Sequence, residues 1–366
     1  MTWDHLFWWG LTIACLIWYC TITVYVAFKG ATDISEMLAR LGRGAGSPAV
    51  ACAAQENQSA VESSHGSSEA VVGRPQSGQP RFSGSEKSPR REKLVAKLRE
   101  RARFLRYEGL KLNSRTLHAG AALSSSDIIA CLFYHVLRLD PKDPAWKERD
   151  IFINSRGHAC EPIYVAMADR GFFPWEDLSQ VEDFGSHLHG LSATSTPGIE
   201  FSTGALGTGL SLAVGAALAQ RMQCRLGRVV IVTGDGELQE GLFWEAAMAA
   251  SHYKLDNLIV VVDRNGYQSN DRGTETVMRL EPLDSRLAAF GFETLRVDGH
   301  DIGALLTAFE ALPFAKGKPS VIIADTVKGK GVSFLESGHI HCGRFGRDFD
   351  LGLLEKALKE LEGKQT

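Results

Sequence analysis

Apolar and polar positions divide the chain into three regions of different texture. Leu6 to Phe28 is a run without a charged side chain; as a helix it would reach about 34 Å, against a hydrocarbon thickness of ~30 Å. Trp3, Trp8, Trp9 and Tyr25 lie toward its ends, as an aromatic belt would. Asp4 and His5 stand where a signal peptide would carry its basic stretch. Lys29, Arg40 and Arg43 follow the run and no basic side chain precedes it, so the positive-inside rule predicts that the remainder faces the cytoplasm. Residues 1–41 therefore read as a single-pass membrane anchor with a short juxtamembrane segment. From Gly42 to about Pro89 large apolar residues give way to Ser, Gly, Pro, Gln and Ala, which predicts a disordered linker over 42–89.

The third region, 90–366, alternates helix-like and strand-like segments. Leu94, Leu98 and Leu105 recur at helical spacing among Arg90, Arg91, Lys93, Lys97, Arg99, Arg101, Arg103 and Arg106. That reads as a helix with a solvated basic face, contact with anionic lipid being the alternative. Ser125–Leu137 reads as a helix with Ser/Asp starting signals, and Cys160–Arg170 as another. Short strands are predicted at Asp150–Asn154, Arg228–Thr233, Leu258–Asp263 and Ser320–Asp325. Gly204–Gln220 reads as a tight loop plus helix, Leu238–His252 as a helix, and Leu351–Leu361 as an amphipathic segment. This rhythm predicts an α/β fold: a mostly parallel sheet with helices on both faces.

Composition narrows the class. A formal net charge of −3 gives no reason to expect nucleic acid. Seven scattered cysteines form no C-x-x-C pair and no zinc spacing, which points to a reducing compartment without a disulfide framework.

Candidate chemistry falls in turns beside predicted strand ends. Gly234-Asp235-Gly236 follows one apolar run, and Asp263-Arg264-Asn265-Gly266 follows the next. If the two strands are parallel neighbours, Asp235 and Asn265 share the carboxyl edge where open α/β sheets bind ligands. An acid and an amide there suit a hard cation such as Mg²⁺, which takes oxygen ligands and is often shared with phosphates. His118, His158, His187, His189, His339 and His341 lie in short glycine-containing loops and are candidate donors to an anionic group. The group Gly204, Gly207 and Gly209 does not fit the G-x-G-x-x-G spacing of a dinucleotide loop.

Gly234-Asp-Gly236, then 28 residues, then Asn265, resembles the thiamine diphosphate motif. Four further stretches narrow the resemblance to the pyrophosphate-binding part of transketolase. They are Ser155-Arg-Gly-His-Ala159, Ser202-Thr-Gly-Ala-Leu-Gly-Thr-Gly-Leu210, Lys254-Leu-Asp-Asn-Leu-Ile259 and Asp325-Thr-Val-Lys-Gly-Lys-Gly-Val332. The resemblance spans about residues 94–345. It implies Mg²⁺, or Ca²⁺ or Mn²⁺ in its place, held by the side chains of Asp235 and Asn265 and the carbonyl of Tyr267. It further implies cofactor contacts at His158, Gly204, Leu206, Gly236 and Asn265. Catalytic roles pass to His118, facing the donor ketose, and to Glu240, linking the two active sites of a dimer. The bland reading of Glu240 is a helix N-terminal residue complementing the dipole.

The chain departs from the family in places. His187-Leu-His189-Gly190 stands where Gly-His-Pro is usual, and His341-Cys342-Gly343 where His-His-Gly is usual. His189 and His341 are the expected functional substitutes. Transketolases continue into a pyrimidine-binding domain and a C-terminal domain, and no length for them remains before Thr366. The expectation is one half of a split transketolase, an α₂β₂ assembly in which a separate chain supplies the pyrimidine domain. The pair would move a two-carbon ketol unit from a ketose to an aldose. The alternatives are a tethered non-catalytic scaffold and one chain of a related thiamine enzyme.

Overall fold

The computed structural model describes residues 88–268, 272–336 and 343–363, together with Thr12, Trp18 and Thr21. The predicted anchor apart from those three residues, the predicted linker up to residue 87, and His339 and His341 lie outside the described residues. The chain divides into two units, and the one comprising Val72–Arg221 and Arg225–Thr366 carries the elements below except Met222, the last residue of one helix. Among the described residues one stretch, Ala119–Val136, is long and apolar enough to cross a membrane, but 78% of it is buried inside the fold. It is a core helix.

Five parallel strands form the sheet: β1 (Ile151–Asn154), β2 (Val229–Gly234), β3 (Leu258–Arg264), β6 (Glu293–Asp298) and β7 (Ser320–Asp325), in the order β1-β2-β3-β7-β6. A two-stranded antiparallel ribbon, β4 (Tyr267–Gln268) and β5 (Arg272–Gly273), follows β3. β2 and β3 are buried along their whole length. Continuous Val/Ile runs, not alternation, mark such central strands, because helices cover both faces. One face, with Phe152, Val230, Val232, Ile259, Val261 and Ile322, packs against α1 (Pro89–Lys111), α2 (Ala119–Cys131), α3 (Glu161–Arg170) and a later helix (Ile302–Glu310). The other, with Ile153, Val229, Ile231, Leu258, Val260 and Ile323, packs against α4 (Gly209–Met222) and α5 (Gly241–His252). The Leu351–Gly363 helix closes a smaller cluster through Ala357 and Leu361 against Leu110, Leu123 and Val332.

Two expectations need correction. α2 begins at Ala119, six residues before the predicted start, and a π turn over Leu132–Val136 ends it. Ser124, Ser125 and Ser126 resemble starting signals yet lie buried inside the helix. They fit because the Ser125 and Ser126 hydroxyls donate to carbonyls one turn back, Ala121 at 3.1 Å and Ala122 at 2.9 Å, and the Ser124 hydroxyl donates to Asp263 Oδ2 at 2.6 Å. In α1, capped by the Ser88 hydroxyl with Pro89 at its first position, Arg106 is buried and paired with Asp127 instead of lying on the solvated face. Strand β6 escapes the hydrophobic pattern because it is an edge strand, with Glu293, Arg296 and Asp298 among its six residues.

Glu161 opens α3 with 0% exposure. Thr116 Oγ1 (2.6 Å) and Asn113 Nδ2 (3.0 Å) both donate to its Oε1. Burial pushes this carboxyl up to about 7 from the usual 4.5, against the lowering effect of those hydrogen bonds. The folded chain therefore keeps a proton that the unfolded chain releases. The sign follows: stability is greatest below pH 4.5 for this group and falls as pH rises toward 7, by about 3 kcal/mol in all. Glu161→Gln should abolish that fall, which urea midpoints measured between pH 5 and 8 would reveal as a flatter profile than the unsubstituted chain gives.

Candidate active site

The register of the sheet builds the site. Gly234 pairs with Asp263 across β2 and β3, and Arg264 pairs with Asp325 across β3 and β7. The turns that leave these three strands therefore emerge side by side at one carboxyl edge, as ligand sites in open parallel sheets do. They bound a cleft of about 370 Å³. His118, His158, Gly204, Leu206, Asp235, Gly236, Glu240, Asn265 and Tyr267 all line it. Nine residues singled out from motifs spread over 150 positions are thus brought together.

Asp235 is 1% exposed and heavily bonded. Its Oδ2 accepts from Arg264 Nη1 (2.5 Å), Gly266 N (2.9 Å) and Thr274 Oγ1 (3.1 Å), whereas Oδ1 accepts from Gly236 N alone (2.9 Å). Burial raises its carboxyl above the ordinary value even though Arg264 opposes the shift, and the neighbouring Asp263 adds to it. A desolvated carboxylate with a lone pair left on Oδ1 gains from a cation. Asn265 Oδ1 accepts from Tyr267 N (3.1 Å) and keeps its second lone pair. Two hard oxygens converging on one cleft fit Mg²⁺, and the Tyr267 carbonyl lies two residues farther along the same turn. Among the described residues no cluster of three or more His, Cys, Asp or Glu offers a competing site.

Glycine is required where the walls close in. A Cβ on Gly236 would lie 2.8 Å from the Gln268 Cβ. Gly207 has φ +83°, and a Cβ there would meet the Glu240 Cβ at 2.6 Å. The rings of His118 and His158 lie 4.7 Å apart, tilted by 58°, on one wall. Glu240 caps α5 with its backbone, makes no side-chain capping hydrogen bond, and is exposed at the cleft's mouth.

Other candidates stand elsewhere. His189 is exposed and outside the cleft lining, its carbonyl accepting from the Tyr164 hydroxyl at 2.9 Å. His187 Nε2 contacts Asp177 Oδ2 at 2.9 Å, also away from the cleft. Gly343, two residues after His341, donates to the Leu117 carbonyl at 2.9 Å, beside His118. The cleft also recruits residues that carry no role in the motif reading: Arg156, Glu237, Gln268 and Lys328. Arg156 is bound to Asp263 at 2.5 Å, and Lys328, 3% exposed, holds its Nζ 5.6 Å from the Tyr267 ring centroid. The available signal is charge: each cation sits within two residues of a motif glycine.

A parallel sheet whose carboxyl edge offers hard oxygens, close glycine amides and two cations defines a binding domain for a phosphorylated ligand. Residues 96–356 match the family model described as transketolase, thiamine diphosphate binding domain. The chain belongs to the transketolase family, a family of transferases. It is 40% identical over 243 residues to one of the apulose-4-phosphate transketolase subunits of Actinobacillus succinogenes, covering 65% of this chain and 87% of that one. It is 40% identical over 220 residues to the 6-deoxy-6-sulfo-D-fructose transketolase subunit SqwG of a Clostridium species, covering 60% and 80%. The crystal structure of transketolase from Campylobacter jejuni superposes with a TM-score of 0.65 at 31% identity, over 74% of this chain and 43% of that one. The chain thus spans less than half of that solved enzyme and most of the two separate subunits.

Proposed function

We propose that this chain is the N-terminal half of a two-chain transketolase. It binds the diphosphate of thiamine diphosphate through Mg²⁺ and, with a pyrimidine-domain partner, transfers a two-carbon ketol unit from a ketose phosphate to an aldose phosphate. The convergence of Asp235, Asn265, Gly236, His158 and Lys328 on one cleft carries this reading. The extent of the match to relatives that are themselves named as transketolase subunits supports the two-chain form.

Thiamine diphosphate, when bound, supplies the nucleophilic carbon and the electron sink for ketol transfer. The chain's residues bind and orient. Asp235 and Asn265 would offer side-chain oxygens, and Tyr267 its carbonyl, to Mg²⁺. The Gly236 amide, which here donates to Asp235 Oδ1, would turn to the diphosphate oxygens once that oxygen takes Mg²⁺, and the Lys328 ammonium would meet them with His158 as a neutral donor. Gly204 and Leu206 would line the cofactor beyond its diphosphate. His118, beside His158, would face the donor sugar. The Glu240 carboxylate, exposed at the mouth of the cleft and without a capping role, would reach toward the partner chain. The uncharged run Leu6–Phe28 supports a single-pass anchor that holds the domain on the cytoplasmic side. His341, whose neighbour Gly343 is tied beside His118, would be the substitute near the substrate end, whereas His189 stands outside the cleft lining.

The test mixes the full chain with the product of an adjacent gene encoding a transketolase pyrimidine domain, thiamine diphosphate and Mg²⁺. Ketol transfer that needs both chains is the expected result. Absence of transfer with every such partner, across phosphorylated ketose donors, would sink the two-chain reading.

A further inference from the structure

Lys328 reaches the cleft from the turn after β7; the Thr326 hydroxyl donates to the Asp263 carboxylate, and three main-chain N–H groups also tie the turn down. Thr326 N donates to the Arg264 carbonyl (3.1 Å), and Gly329 N donates to the Gly120 carbonyl (3.0 Å). Between them Val327 N donates to His300 Nε2 at 2.8 Å. The first two ties are main chain to main chain; the third depends on a side chain that does not line the cleft.

His300 lies in Asp298-Gly-His-Asp301, between β6 and the Ile302–Glu310 helix. Its own backbone N–H donates to the Asp298 carboxylate (2.8 Å). A main-chain N–H can only donate, so Nε2 is the acceptor and the ring proton is assigned to Nδ1. Nδ1 stands 2.7 Å from Asp127 Oδ2 in α2. Asp127 is also bound by Arg106 from α1. Burial alone would raise the Asp127 carboxyl, but Arg106 and His300 outweigh it and hold it below the ordinary value. An ionised, 5% exposed carboxylate thus orients a neutral imidazole whose other nitrogen grips the turn carrying Lys328. The bridge crosses four segments, from Arg106 through Asp127 and His300 to Val327.

We propose that His300 is a positioning residue: its neutral ring, fixed by Asp127, holds the Val327–Lys328 backbone so that the Lys328 ammonium stays in the cleft. The purpose assigned to Lys328 rests on the diphosphate reading above; the latch itself does not.

Two substitutions in the full chain remove opposite halves of the bridge. His300→Gln can carry an acceptor oxygen to the Val327 N–H and gives up the Asp127 contact. His300→Asn can keep a donor for Asp127 and leaves Val327 N–H without its acceptor. Hydrogen exchange over Val327–Gly329 and the Kd for thiamine diphosphate with Mg²⁺ are measured on both and on the unsubstituted chain. Expected is exchange about tenfold faster and Kd about tenfold weaker in His300→Asn, the scale of one hydrogen bond, with His300→Gln within about threefold of unsubstituted. Equal losses in both, no loss in either, or the reverse ranking overturns the latch. If the unsubstituted chain binds no thiamine diphosphate while the exchange ranking holds, the cofactor reading fails and the latch stands.

Discussion

Asp235→Asn is expected to weaken Mg²⁺-dependent binding of thiamine diphosphate by about 100-fold or more, on the order of 3 kcal/mol. The substitution keeps the shape of the side chain and removes its charge. An amide oxygen is a far poorer ligand for a hard cation than a carboxylate, and the diphosphate depends on that cation to offset its own charge. The fold should tolerate the change for a specific reason. Arg264, the buried cation on Asp235, also reaches Glu275 at 2.9 Å and Glu281 at 3.4 Å, so it retains anionic partners. With its oxygen kept on the Arg264 side, the amide NH₂ faces the Gly236 N–H, so the unfolding midpoint should fall too, but by less than the affinity. Calorimetric titration with thiamine diphosphate, in Mg²⁺ and again in a chelator, separates the two effects. The unsubstituted chain should lose affinity in the chelator, and the variant should be weak in both. A variant as tight and as Mg²⁺-dependent as the original would remove Asp235 from the metal site.

The legibility of this chain follows physical lines. β2, β3 and β7 are readable because burial on both faces forces an unbroken apolar run, and a motif glycine ends β2 or follows β3 and β7 within four residues. Once those strands are neighbours, Asp235 and Asn265 must share an edge, so the metal pair is readable too. β6 is not, since an edge strand with one polar flank alternates weakly and carries charges that pair with neighbours, as Arg296 does with Asp325 at 2.8 Å. The start of α2 is misleading because Ser124–Ser126 carry a helix-opening signature that tertiary burial overrides. The buried charges are the largest gap. Arg106 reads as part of a solvated basic face in the sequence, and Arg156 and Arg264 carry no assigned role there; only packing reveals that Asp127, Asp263 and Asp235 hold them. Residue type reports what a group can do; the partner that decides whether it does so comes from strands and helices distant in the chain.

Glu237 shows the same dependence most sharply and carries the second large effect. It follows Gly236 directly, 2% exposed, and accepts four hydrogen bonds. Oε1 takes the Ser155 hydroxyl and Gly207 N (2.8 Å); Oε2 takes the Thr233 hydroxyl (2.7 Å) and Gly234 N (3.3 Å). Those donors belong to the loop of His158, the loop of Gly204 and Leu206, and the end of β2 that aims Asp235. One carboxylate therefore joins the three walls of the cleft. Glu237→Gln is nearly isosteric, but whichever way its amide turns, the NH₂ faces a backbone N–H that can only donate, that of Gly207 or of Gly234, and the hydroxyl beside it must turn to accept. The expected cost is about 3 kcal/mol of stability, read as a lower denaturant midpoint. Cofactor affinity should fall with it, because the walls lose their common anchor while every cleft ligand is still present. Glu237→Ala, which strands all four donors, should be worse than Gln on both measures. If Gln and Ala instead matched the original in midpoint and affinity, the three loops would have to hold their geometry independently, and the carboxylate would be a passenger in the site.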